Sequence, residues 1–312
     1  MTIAFTFPGQ GSQAVGMGRA LAEAYPEARA VFDEVDSALG EKLSAVIFEG
    51  PIETLTLTQN AQPALMAVSL AATRVLAAKG VGMDRVAYVA GHSLGEYSAL
   101  AAAGSLSVSD AARLLRIRGL AMQEAVPVGV GAMAALLGLD LDAATAIAAD
   151  AAEGEVCAAA NDNGAGQVVV SGNKAAVERA VEIAKARGAR RAVLLPVSAP
   201  FHCALMAPAA VVMAEALKGV TINRPAVPLV ANVTAGAVTD PEAIRRNLVD
   251  QVTGMVRWRE TIAFLAGAGV GTFVEVGAGK VLSGLAKRIA DGAETLTAGT
   301  PEDIDAAVAK IA

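Results

Sequence analysis

Apolar positions along this chain of 312 residues change their spacing from segment to segment, and those changes outline its elements. Ile3 to Phe7 alternates like a short strand, and Val86-Ala87-Tyr88-Val89-Ala90 is an apolar, partly β-branched run of strand length. Residues 26–39 have the spacing of an amphipathic helix. Residues 107–125 read as another, opened by Ser107 or Ser109 as the cap with Asp110 in the first turn. Pro127-Val128-Gly129-Val130-Gly131 then interrupts the pattern. Beyond it, residues 132–139, 156–160, 168–171 and 192–195 read as strands, with helices over 143–152 and 175–187 and a turn at Asn161-Asp162-Asn163-Gly164. This β-α-β-β-α-β order is the ferredoxin-like pattern, and it closes at Pro196. A helical run at 205–217 and short strands at 227–231 and 272–276 follow. The expected fold is α/β: a large domain of residues 1–126 and 197–312, its sheet covered by helices on both faces, interrupted by a small ferredoxin-like domain of residues 127–196.

Composition narrows the function. With 54% hydrophobic residues the chain can bury a sizeable core, and a net charge of −6 argues against nucleic-acid binding as the main task. Two cysteines, Cys157 and Cys203, without paired spacing fit a reducing compartment, and two histidines leave little with which to bind a metal. The N-terminus lacks a basic region and enters a strand within three residues, so no signal peptide is expected. No apolar run reaches about 18 residues without a charge, proline or glycine, so no membrane span is expected either. A cytoplasmic monomer is the default expectation.

The candidate chemistry lies at the end of the second strand. Gly91-His92-Ser93-Leu94-Gly95 follows 86–90 and leads into a helical run from Glu96 to Ala103. That is the strand-turn-helix setting of a nucleophile elbow, which makes the large domain hydrolase-like. Glycines flank the serine because so tight a turn leaves no room for Cβ atoms. Ser93 needs a base, and His92 leaves the backbone at the adjacent position in another direction. His202, in Pro196-Val197-Ser198-Ala199-Pro200-Phe201-His202-Cys203, is therefore the expected imidazole. No carboxylate stands out as its orienting acid, so either a backbone carbonyl takes that role or the acid is hidden. Cys203 beside His202 is a poor thiol nucleophile, since adjacent residues rarely form such a pair. Arg118 has only apolar helical neighbours (Leu114, Leu115, Ala121 and Met122) and must face inward, whereas Arg113 reads as a solvated side chain. A buried guanidinium needs an anion, either a structural carboxylate or the carboxylate of a substrate.

Two glycine patterns mislead. Gly9-Gln10-Gly11-Ser12-Gln13-Ala14 matches a dinucleotide fingerprint, but the acids some twenty residues on, Asp33, Glu34 and Asp36, fall in a helix rather than at a strand end. The loop is better read as bringing backbone amides and Gln10 close to a ligand. Gly279-Lys280 is no phosphate loop, because Val274 and Val281 occupy the positions of the earlier glycine and the Ser/Thr.

Five segments now fall in order: Phe7-Pro8-Gly9-Gln10-Gly11-Ser12-Gln13, Gly91 to Gly95, Arg118-Gly119, Ala199-Pro200-Phe201-His202, and Glu275-Val276-Gly277 with Gly279-Lys280-Val281-Leu282. Together they resemble the malonyl-CoA:acyl-carrier-protein transacylases, the loading acyltransferases of bacterial fatty acid synthesis, over nearly the whole chain. The resemblance implies Ser93 as nucleophile and His202 as base, the backbone amides of Gln10 and Leu94 as oxyanion hole, and Arg118 on the free carboxylate of malonate. It implies that Gln251 orients the imidazole through its carbonyl, that Asn161 of the small domain lies near the site, and that Phe201 marks the malonyl-selective form. Residues 252–255 depart from the family in lacking a proline. The implied substrates are a coenzyme A thioester and an acidic acyl carrier protein, without cofactor or metal. Residues 185–191, and Lys280 with Lys287 and Arg288, are basic clusters able to meet that carrier. The alternatives are a polyketide-pathway acyltransferase, a serine thioesterase or hydrolase, and a non-catalytic scaffold that binds carrier protein.

Overall fold

The structure, a computed structural model, describes residues 2–311. Among the described residues ten strands form two sheets: β1 (Ile3–Phe7), β2 (Tyr88–Gly91), β3 (Gly131–Leu137), β4 (Cys157–Asp162), β5 (Gln167–Asn173), β6 (Arg191–Leu194), β7 (Leu229–Val230), β8 (Ala237–Val238), β9 (Thr272–Val276) and β10 (Glu294–Ala298). The large sheet has the order β10-β9-β1-β2-β7-β8 and is parallel except for the β7–β8 pair at its edge. Strand β1 is buried along its whole length, so its alternation of large and small residues serves two covered faces rather than a wet and a dry one. The helices Thr58–Ala78 and Val108–Ala125 pack closely on each other, and Thr58–Ala78 lies against β9 of this sheet. By length and composition Thr58–Ala78 could cross a membrane, but 83% of its apolar window is buried inside the fold, where it serves as the core helix.

The small sheet is antiparallel, ordered β4-β5-β3-β6, with helices Leu141–Ala152 and Lys174–Ala186 packed on each other and on the strands. It gathers its own apolar cluster, including Leu136, Ile147, Val170 and Val177. One expectation needs correction. Asn161 and Asp162 lie in β4 rather than in the turn that follows, because the main chain there pairs with the other domain: Asp162 N donates to Val256 O at 2.9 Å and Val256 N to Ala160 O at 2.9 Å. Asp162 is further fixed by Arg259 Nε at 2.8 Å.

The register places the chemistry. Phe7 pairs with Gly91, so the loop after β1 and the turn after β2 leave the same end of the sheet side by side. His92 N donates to Phe7 O at 3.0 Å, and a Cβ on Gly95 would stand 2.3 Å from that same carbonyl oxygen.

Candidate active site

The Ser93 turn is as sharp as its sequence requires. Ser93 adopts φ 53°, in the left-handed region, and a Cβ on Gly91 would lie 1.9 Å from the Gly95 carbonyl. The helix Gly95–Ala102 begins at once, aiming its N-terminus at the serine. Asn232, at the end of β7, holds the turn from both sides: its Oδ1 accepts from Ser93 N at 2.8 Å and its Nδ2 donates to Gly91 O at 2.7 Å.

The loop after β6 brings His202 to this turn. Ser93 Oγ donates to His202 Nε2 at 2.7 Å. The other ring nitrogen, Nδ1, lies 2.9 Å from Gln251 O and 3.1 Å from Gly254 O. Carbonyl oxygens only accept, so the proton sits on Nδ1 and the lone pair of Nε2 faces the serine. Backbone carbonyls thus orient the imidazole, and among the described residues no carboxylate does so. Burial, with the Arg118 charge second, pushes His202 down to about 3, which keeps the ring neutral at ordinary pH. His92 turns the other way, its Nε2 donating to Asn163 Oδ1 at 2.9 Å, and burial lowers it too. Cys203 is no partner for either: its Sγ donates to Pro200 O at 3.2 Å and burial raises its thiol.

Arg118 is 2% exposed. Its NH1 donates to Gln62 Oε1 at 2.7 Å, and its NH2 to Gln251 Oε1 at 2.9 Å and to Ser93 Oγ at 3.2 Å. Its Nε has no hydrogen-bond partner, and among the described residues no carboxylate oxygen comes within 4 Å of it. The guanidinium therefore rests on neutral amides and the nucleophile, with its Nε–H and one NH1 hydrogen unspent. By contrast Arg113 is half exposed.

Gln10 follows Gly9, whose absent Cβ would otherwise stand 2.8 Å from His92 O. The Gln10 side chain accepts from Thr58 Oγ1 at 3.1 Å, and neither its backbone amide nor that of Leu94 donates to a described protein group. Phe201 is buried beside His202. Asn161 is buried at a bulge of β4 and makes no side-chain hydrogen bond to Ser93, His202 or Arg118; it is Asn163 that reaches the turn. A cleft of about 390 Å³ opens beside Gln10, between Ile52, Glu53, Thr56 and Leu57 on one wall and Pro196, Val197 and Ser198 on the other.

Several participants were missed in the sequence. Glu96 was the one charge in an apolar helix immediately after the elbow. Gln62 ends the polar stretch Thr58-Gln59-Asn60-Ala61-Gln62, just before a long apolar run. Asn232 follows a strand end pointing the same way as β1 and β2. Each carries that weak signal and no more.

A parallel sheet whose elbow serine is paired with a carbonyl-held imidazole, next to a buried guanidinium, defines an acyl-transfer enzyme of the serine class. Residues 4–304 match the acyl transferase domain, and the chain belongs to that family. It is 50% identical over 309 residues, 99% of this chain and 98% of the relative, to the malonyl CoA-acyl carrier protein transacylase of Escherichia coli strain K12. The crystal structure of the acyl-carrier-protein-S-malonyltransferase of Bartonella henselae superposes with a TM-score of 0.97 at 59% identity, covering 100% of this chain and 99% of that one. A malonyl-transacylase solved in complex with a type II polyketide acyl-carrier protein gives 0.96 at 44% identity, over 99% and 100%.

Proposed function

We propose that this chain moves a malonyl group from coenzyme A to the phosphopantetheine thiol of an acyl carrier protein, through an ester on Ser93, in fatty acid synthesis. The observation that carries this reading is the double approach to one oxygen: His202 Nε2 at 2.7 Å and Arg118 NH2 at 3.2 Å from Ser93 Oγ. His202 takes the Ser93 proton as Oγ attacks the thioester carbonyl. The amides of Gln10 and Leu94 receive the developing oxyanion, and loss of one such donor typically costs about 100-fold or more. The C–S bond breaks, and His202 returns the proton to the coenzyme A sulfur. In the second half the carrier thiol gives its proton to His202 and attacks the ester, and Ser93 recovers the proton as it leaves. Arg118 turns its unspent N–H groups to the free carboxylate of the acyl group, which selects dicarboxylic acyl chains. Phe201 limits substitution next to that carbonyl, and Asn161 lines the domain boundary behind the site.

The other parts of this reading follow from the same arrangement. The cleft beside Gln10 has the size and apolar walls for a pantetheine arm. No cofactor enters the steps above. Lys185 pairs with Glu182 and Arg187 with Asp150, so Arg190 and Arg191, together with Lys280, Lys287 and Arg288, are the cations offered to an acidic carrier. The chain acts as a cytoplasmic monomer with its domain boundaries near residues 127 and 196. A polyketide carrier is the second reading, favoured by the likeness to a transacylase bound to such a carrier.

Intact mass after mixing the protein with malonyl-CoA tests this, followed by addition of pantetheinylated carrier protein. A malonyl gain in the wild type, absent in Ser93→Ala and discharged onto the carrier, is the expected result. Rapid release of free malonate without carrier would make the protein a hydrolase. No gain and no malonate would make it a binding protein.

A further inference from the structure

Glu96 is fully buried two residues beyond Leu94, in the first turn of the helix Gly95–Ala102. Nothing in the reaction above uses it. Its Oε2 accepts from Asn232 N at 3.0 Å and from Gln251 Nε2 at 2.8 Å, while its Oε1 has no partner. Among the described residues no basic group lies within 4 Å of it, just as no acid lies within 4 Å of Arg118. The two buried charges are joined by one carboxamide. Gln251 turns its oxygen to Arg118 at 2.9 Å and its nitrogen to Glu96 at 2.8 Å, so each end of the amide dipole meets the charge it favours.

We propose that Glu96 is the resting counter-charge of Arg118, relayed across the Gln251 carboxamide, and that it moderates how tightly the acyl carboxylate is held. The proposal rests on Arg118 as the carboxylate clamp. A carboxylate arriving at the free side of Arg118 enters the field of a second anion behind Gln251, and that repulsion weakens its grip. At an effective dielectric of about 20, charges one amide apart alter affinity by roughly tenfold or more. A clamp so moderated can hold the malonyl ester for transfer without trapping it, since tight uniform binding adds nothing to turnover. Glu96 is thus a positioning residue: it sets the orientation of the Gln251 amide and the field at Arg118, and it touches no reacting atom.

The charged and titratable groups that act on Glu96 are Arg118 from the helix Val108–Ala125 and Tyr97 on its own helix, with His92 and His202 in the neighbouring turns. The Asn232 and Gln251 segments contribute amides only. Burial holds Tyr97 up at about 12, His202 down at about 3 and His92 below its ordinary value, whereas it raises Glu96 to about 7. Glu96 is therefore the group that changes charge near neutrality, and its protonation should strengthen malonyl binding.

Glu96→Gln tests this, because a carboxamide oxygen can accept both existing hydrogen bonds without the charge. Ser93 acylation by malonyl-CoA and by acetyl-CoA is followed by intact mass against donor concentration, and the ratio of the two KM values is read. At about pH 8.5 the malonyl-to-acetyl ratio should fall about tenfold in Glu96→Gln, and at about pH 6 the wild type should approach the variant. An unchanged ratio in a variant that loads malonyl would leave Glu96 a strut of the elbow and overturn the proposal. Should the variant not fold, the wild-type ratio across the same pH range decides alone, and a flat ratio overturns it. A wild type that takes up no malonyl group would instead sink the transferase reading itself.

Discussion

Ser93 and His202 are both non-glycine residues in the left-handed region, at φ 53° and 58°, yet different parts of the chain hold the two turns there. The Ser93 turn is local. It lies between a buried parallel strand and a helix, its tightness enforced by Gly91 and Gly95 four residues apart. The His202 turn is assembled from a distance. Carbonyls of Gln251 and Gly254 hold its ring, and Pro200 packs where a Cβ on Gly131, at the start of β3, would stand 2.3 Å away. Each strained residue costs about 1–3 kcal/mol, which the surrounding structure must offset. The nucleophile thus belongs to the large sheet, whereas the base depends on the seam between the two sheets. A rigid nucleophile can then meet a base whose position answers to the domain boundary.

Removing each side chain is the bluntest break. Ser93→Ala should abolish ester formation, lowering transfer by about 10⁴-fold or more, and His202→Ala should fall nearly as far, since the pair acts as a unit. A double variant no worse than either single one, measured by carrier malonylation, would establish that unit; additive losses would separate the two.

Breaking the turns instead of the side chains should separate them. Gly91→Ala drives a methyl into the Gly95 backbone, which flexible atoms cannot relieve, so it should cost stability by more than about 3 kcal/mol in urea unfolding. Gly131→Ala meets the ring of Pro200, which can shift with its loop. It should therefore leave most of the stability but slow Ser93 acylation about tenfold or more, because a small misplacement of the base is costly. If Gly131→Ala unfolds the protein as readily as Gly91→Ala, the seam is as rigid as the elbow and the contrast fails.

Acid sharpens the contrast further. His202 is pushed from the ordinary 6.5 to about 3, so between those values the unfolded chain binds a proton that the folded one refuses. Its contribution to stability is complete above pH 6.5 and is lost as pH falls toward 3, at up to about 1.4 kcal/mol per pH unit. His202→Asn should remove this loss, so that between about pH 6 and pH 4 the urea midpoint falls less steeply than in the wild type or rises. The remaining slope is the difference between His92, which loses stability in acid, and Glu96, whose raised carboxyl gains it. Ser93→Ala should leave it as steep as in the wild type.

The same division explains what could be read in advance. The elbow, the inward face of Arg118 and the β-α-β-β-α-β order depend on residues within a turn or two of each other, and local spacing reveals them. Ser107 as the cap of the Arg118 helix is legible for that reason, its Oγ accepting from Asp110 N at 2.9 Å. The orienting group of His202 is open on the residues alone, and only the family resemblance points to Gln251, because a backbone carbonyl 49 residues away leaves no side-chain signature. Asn232, 139 residues from Ser93, carries no local signal because only the pairing of β7 with β2 brings it near. Asn-Asp-Asn-Gly has turn chemistry and so predicts a turn at Asn161 and Asp162, but a long-range pairing with Val256 overrides it.

The smallest effect lies where the small sheet reaches the Ser93 turn. Asn163 Oδ1 accepts from His92 Nε2 at 2.9 Å, tying the neighbour of the nucleophile to the segment after β4. Asn163→Ala leaves a buried imidazole N–H without an acceptor, which costs about 1–3 kcal/mol. Because Gly91, Gly95 and Asn232 still hold the serine, transfer should fall by less than about tenfold while the urea midpoint drops. Asn163→Asp keeps the hydrogen bond but places a carboxylate where it favours the charged imidazolium, and that charge would push His202 lower still. It should therefore be more stable than Asn163→Ala yet slower, the gap in rate widening as pH falls. Equal rates in the two variants would mean that His92 influences Ser93 by packing alone, and that the local turn is sealed from its partner domain even where the two touch.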